Sequence, residues 1–187
     1  PLLRRVAVLD LTGCKLAPGS LMSLLSPLAT IKCVKKLVLD RISLRTPEVH
    51  CLCDWLSIVE PACSLRVLSV DSCSLSSYNG GDAFVLRAQH FSSLQSLCLG
   101  SNRLHQCLPA EFMELGLLCS ALRQLSLEHM PVAEEAAYVL GFAARVSSVQ
   151  SINLSSCGLT DGGLAAFVAG FGHFGDHPAY TASASSA

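Results

Sequence analysis

Apolar residues return along this chain in one fixed frame. In "LQSLCLGSNRL", Leu94 to Leu104, leucine stands at the first, fourth, sixth and eleventh positions and Asn102 at the ninth. The same frame begins at residues 6, 34, 65, 94, 122 and 149, so six copies follow one another at periods of 27 to 31 residues. Alternation from the third to the seventh position predicts a short strand in each copy. Its fourth and sixth residues face a core, and its third, fifth and seventh face away. Between frames, apolar residues recur at helical spacing, as in Val132, Ala136, Val139, Leu140 and Ala143. Helix-like return segments are therefore predicted at about 19–30, 47–60, 80–92, 109–120, 132–145 and 160–171. Pro47, Pro109 and Pro131 fall at or near the starts of such segments, where a missing N–H is harmless, and Thr160 with Asp161 also reads as a helix start.

A unit of this size cannot bury its apolar face alone, so stability must be shared between neighbours. The frame matches the L-x-x-L-x-L-x-x-N/C-x-L signature, with Cys14, Cys73 and Cys157 at the Asn/Cys position and Ile42 and Met130 departing from it. On these residues the chain resembles the leucine-rich repeat superfamily from about residue 2 to residue 171, and its repeat lengths are most similar to the ribonuclease-inhibitor-like class. The resemblance implies an α/β solenoid of about six repeats: a horseshoe arc with a parallel concave sheet and convex helices. It assigns residues 1–171 to the array and the Gly/Ala/Ser-rich residues 172–187 to a tail. Only "PLLRR" precedes the first frame, and the sequence opens on Pro1 without an initiator Met. The N-terminal edge is therefore expected to be uncapped, in a fragment of something longer, and covered by further repeats or by another subunit.

Outward strand positions in such a solenoid line the concave face, and equivalent residues form rows about 4.8 Å apart. The seventh-position row holds Asp40, Asp71 and Glu128, with Asp10 beside it in the first repeat, while Arg41 and His129 follow one residue later. Lys36 and Gln124 stand at outward third positions. These eight residues form the candidate partner-binding strip, mildly acidic with small polar neighbours.

Charge and composition narrow the field. Charged residues make up only 14% of the chain and the formal net charge is −1, so bulk charge points to neither a nucleic-acid surface nor a solvated acidic tail. The longest apolar runs, such as residues 136–144, reach about nine residues, against the roughly 20 a spanning helix needs, so no membrane span is expected. Ten cysteines would suit a disulfide framework. Three, however, occupy the repeat's inward turn and others fall on helix faces that read as buried. The disulfide-bonded caps typical of extracellular leucine-rich repeat proteins have no counterpart cluster here. Buried free thiols in a reducing, cytoplasmic compartment are therefore expected.

Candidate chemistry is thin. In "HCLCDW", His50, Cys51, Cys53 and Asp54 stand one and two residues apart on a predicted helix, where they do not share a face, and the spacing is not that of structural zinc. "HQC" at 105–107 lies in a turn where irregular polar residues are ordinary, and the glycine pairs at 80–81 and 162–163 lack the Lys-Ser/Thr of a phosphate loop. No catalytic residue, metal or cofactor is predicted. The expectation is a non-catalytic protein–protein interaction scaffold, a subunit or fragment of a larger intracellular assembly. Two alternatives follow from the same resemblance: the recognition array of a larger regulator, such as a NOD-like receptor or a ubiquitin-ligase substrate receptor, and an inhibitor or activator of a partner enzyme.

Overall fold

The computed structural model describes residues 6–30, 34–59, 65–86, 93–104 and 121–172. Each frame supplies one three-residue strand from its third to its fifth position: β1 Val8–Asp10, β2 Lys36–Val38, β3 Val67–Ser69, β4 Ser96–Cys98, β5 Gln124–Ser126 and β6 Ser151–Asn153. All neighbours are parallel, and the sheet order is the order along the chain. Register is uniform: each third position pairs with the next third position, as Val8 with Lys36 and Gln124 with Ser151. The sequence repeat is thus also the spatial repeat.

The return segments form helices α1 Ser20–Thr30, α2 Thr46–Val59, α3 Gly81–Leu86, α4 Glu134–Val146 and α5 Asp161–Gly172, with a 3-10 turn at Ser77–Asn79 before α3. The predicted segment at 109–120, with Pro109, lies outside the described residues, as do "PLLRR" and residues 173–187. Thr160 caps α5, its hydroxyl accepting the Gly163 amide at 3.1 Å, which satisfies one of the amides a helix start leaves unpaired. Among the described residues no helix is long and apolar enough to cross a membrane.

Inward strand residues and apolar helix residues make one core. Leu37, Leu39, Leu68, Val70, Leu97, Leu99 and Leu127 have no exposed surface, and they cluster with Leu21, Leu25, Leu52 and Leu140 from the helices. Each such leucine contributes on the order of 1.5–3 kcal/mol by leaving water. The outermost units bury less: Leu9 and Leu11 on one side, and Ile152 and Leu154 on the other, pack against the core but remain partly exposed. Among the described residues each terminal unit has a neighbour on one side only, which leaves part of its apolar surface uncovered.

The turn after each strand has one backbone solution. The eighth frame position is left-handed in all six copies, at Gly13, Arg41, Ser72, Ser101, His129 and Ser156, with φ between 53 and 68°. Five of these six are not glycine. Side chains disfavour this conformation by roughly 1–2 kcal/mol, a cost the joint's hydrogen bonds must offset at every turn.

The ninth position ties each unit to the one before it. Asn102, 3% exposed, accepts the amides of Cys73 and Leu75 at 3.0 Å each and donates to the carbonyls of Val70 and Leu99 at 2.8 Å. Cys73 and Cys157 do part of this work, their thiols donating to Leu39 and Leu127 carbonyls at 3.0 Å. Ile42 and Met130 are buried there as apolar plugs. Cys14 departs from the expectation of an inward thiol. It is exposed, because no described unit precedes the first one to enclose it.

Candidate protein-binding face

The side of the sheet away from the helices carries the strip predicted from sequence. Asp40 and Asp71 are seventh-position residues of adjacent units, and Glu128 lies two units further on. Gly100 occupies the position between them. A Cβ there would come within 2.5 Å of Asp71 Oδ1 and 2.8 Å of the Glu128 carbonyl, so the absence of a side chain is what gives the Asp71 carboxylate its room.

The acids are also bonded into the sheet. Asp40 Oδ1 accepts the Ser69 hydroxyl at 2.6 Å and the Asp71 amide at 2.9 Å, so this carboxylate bridges two units. The Ser72 hydroxyl donates to Asp71 Oδ2 at 2.8 Å, and Asn153 Nδ2 donates to Glu128 Oε2 at 3.2 Å. Among the described residues no Lys or Arg closes an ion pair on Asp40, Asp71 or Glu128; the imidazole of His129 stands with its Nε2 3.5 Å from Glu128 Oε1.

The other predicted members take peripheral places. Asp10, exposed at the end of β1, accepts the Thr12 hydroxyl at 2.6 Å and the Thr12 amide at 2.9 Å. These bonds, aided by Lys36 on the neighbouring strand, hold its carboxyl below the usual aspartate range. Lys36 and Gln124 are exposed on β2 and β5, in the same row but three strands apart. Arg41 and His129 are exposed at left-handed positions, each one residue after an acid of the strip.

Three outward residues, Val38, Ser69 and Gly100, are buried and not solvent-facing as expected. Val38 is 5% exposed and Ser69 7%. Val38 has a strand on either side, as does Ser69, and Ser69 is further covered by its bond to Asp40. Cys98, beside Ser69 on β4, is half-buried, and burial pushes its thiol up, with Asp40 and Asp71 adding to the effect. Ser69 and Asn153 are outward strand positions outside the predicted strip, and the register brings them against Asp40 and Glu128, whereas Ser72 meets Asp71 as its neighbour in sequence.

The remaining sequence candidates separate in space. His50 and Asp54 are exposed while Cys51 and Cys53 are buried, so "HCLCDW" is split across faces of α2. Among the described residues no group of three or more His, Cys, Asp or Glu could hold a metal ion. Gly80 has φ 90°, and a Cβ on Gly81 would meet the Ser76 backbone at 2.7 Å, so this pair serves a turn and a close approach. "HQC" at 105–107 lies outside the described residues.

Among the described residues the chain is an α/β protein with one open, parallel six-stranded sheet, an architecture compatible with a solenoid-like arrangement. No known family model matches the chain, and no curated protein matches it.

Proposed function

We propose that this chain is a non-catalytic protein–protein interaction module of the leucine-rich repeat type, ribonuclease-inhibitor-like in its repeats, acting as a scaffold within a larger assembly. The observation that carries the reading is the strip of three carboxylates on a solvent-facing parallel sheet, Asp40, Asp71 and Glu128, with no Lys or Arg paired to them among the described residues. Unpaired like charges on a broad repeat surface favour capture of a polypeptide segment bearing Lys or Arg, with Arg41 and His129, one residue after Asp40 and Glu128, limiting its approach. The setting that goes with this reading is a reducing, intracellular one, in which thiols such as the buried Cys51, Cys53, Cys73 and Cys157 would stay unpaired.

The test removes charge and keeps shape. Asp40→Asn, Asp71→Asn and Glu128→Gln together preserve most acceptor oxygens, and binding of a fluorescent Arg/Lys-rich peptide is followed by anisotropy at several salt concentrations. Wild-type chain should bind, more weakly as salt rises, and the triple variant should lose most of that binding while its urea melt shows it still folded. Equal binding by the folded variant would remove the strip from the function.

A further inference from the structure

Each joint between successive strand pairs is made by the same backbone bonds. The sixth-position amide donates to the next unit's fifth-position carbonyl, as Leu11 to Val38 at 2.9 Å and Leu127 to Asn153 at 2.9 Å. The eighth-position amide donates to the next unit's seventh-position carbonyl, as Gly13 to Asp40 at 2.7 Å and His129 to Ser155 at 2.9 Å. In return, the next unit's second and third amides donate to the second-position carbonyl, as Gln150 and Ser151 do to Arg123 at 2.8 and 3.0 Å. Where the ninth residue is Asn or Cys, its side chain reaches back to the sixth-position carbonyl of the unit before it, as at Cys73, Asn102 and Cys157.

The two edges of the described sheet present the two halves of this joint. By the same frame, β6 offers the amides of Leu154 and Ser156 and the carbonyl of Gln150. The β1 edge offers the carbonyls of Asp10 and Thr12, the amides of Ala7 and Val8 and the exposed thiol of Cys14. Beside β6, α5 turns out an apolar stripe in which Leu164 is 56% and Val168 60% exposed, with Ala165 and Ala169 between them. Its other side meets α4 backbone to backbone at Gly141 and Gly170, so α5 is a helix packed closely on one flank and bare on the other.

We propose that the β6–α5 face receives the β1–α1 face of a second copy of this chain, head to tail, extending the sheet in the register used at every internal joint. That register sets Asn153 beside Asp10 of the second copy, Ser155 beside its Thr12 and Ser151 beside its Val8, so no like charges meet. Such an interface is heterologous and leaves a free face at each end, so association grows with concentration instead of closing at a dimer. It does not depend on the acidic strip, which lies on the open face.

Sedimentation velocity of the 187-residue chain over a roughly 100-fold concentration range tests this together with two variants. Val168→Glu places a charge in the apolar contact, and Ala7→Pro removes an edge amide at an exposed residue. Each variant alone should associate at least roughly ten-fold more weakly than wild type. Because each keeps one intact face, their mixture should give a 1:1 dimer that does not grow. Circular dichroism establishes that both variants remain folded. A wild-type chain that stays monomeric throughout would overturn the proposal and leave the α5 face to residues 173–187 or another protein. Undiminished association of Ala7→Pro would overturn it in favour of two α5 faces meeting across a two-fold axis.

Discussion

Replacing Asn102 with alanine is the sharpest probe of how the units are held together. The side chain reaches five backbone groups: the amides of Cys73 and Leu75, and the carbonyls of Val70, Leu99 and Gly100. Cys73 and Leu75 have no exposed surface, so water cannot replace the lost acceptor without opening the joint. Leaving a buried amide unsatisfied costs about 1–3 kcal/mol, and two of them set the loss at roughly 2–6 kcal/mol. Asn102→Cys gives an internal control. By analogy with Cys73 and Cys157, its thiol should still reach the preceding unit's carbonyl while satisfying neither amide, so most of the loss should remain. Urea unfolding of the three proteins reads the difference as a shift in midpoint at constant slope. A loss below about 1 kcal/mol for Asn102→Ala would refute the reasoning, because it would mean the amides of Cys73 and Leu75 find other partners at little cost.

Other outcomes follow from the same contacts. Leu97→Ala and Leu125→Ala should each cost roughly 2–5 kcal/mol, while Cys98→Ser, half-buried on the opposite side of β4, should cost far less; similar losses at Leu97 and Cys98 in urea melts would invert the strand phase. Burial raises the Glu48 carboxyl, but the Arg45 hydrogen bond at 2.9 Å and backbone amides outweigh it, leaving the group below the ordinary glutamate range. A depressed folded-state value contributes stability that is present above the unfolded value and is lost as pH falls through the folded one. Glu48→Gln should accordingly flatten the acid limb of the stability profile below about pH 4.3, and an unchanged limb would rule this linkage out. Burial pushes the Cys73 thiol up to about 12, so native alkylation near pH 8 should modify exposed Cys14 well before Cys73, as peptide mass spectrometry would register.

The strands were legible because position and period agree six times: Leu37, Leu68, Leu97 and Leu125 are core residues at the same frame position. Helix locations followed from spacing, with ends within two residues at α1, α2, α4 and α5. The left-handed eighth position was not legible, since only Gly13 announces it. Arg41 and His129 adopt the same backbone under compulsion from the bonds to either side, a tertiary effect without local signature. The exposure of Cys14 and of Leu164 and Val168 was hidden for a related reason. The frame predicts which way a residue points, whereas burial depends on whether a neighbouring unit stands there to receive it.

Asp40 shows why a strip of like residues need not be a strip of like roles. Its Oδ1 takes both the Ser69 hydroxyl and the Asp71 amide, so replacement by lysine would break two cross-unit bonds as well as reverse a charge. A charge-reversing triple variant would therefore confound folding with recognition, whereas the Asn and Gln substitutions leave an oxygen where each bond ends. Asp71 and Glu128 are bonded through side-chain partners alone, Ser72 and Asn153, and Glu128 keeps 45% of its side-chain surface. Recognition should accordingly depend most on Asp71 and Glu128, on either side of Gly100, whose missing side chain makes room for the Asp71 carboxylate. Asp40 should be felt chiefly as the bridge that keeps Asp71 in place.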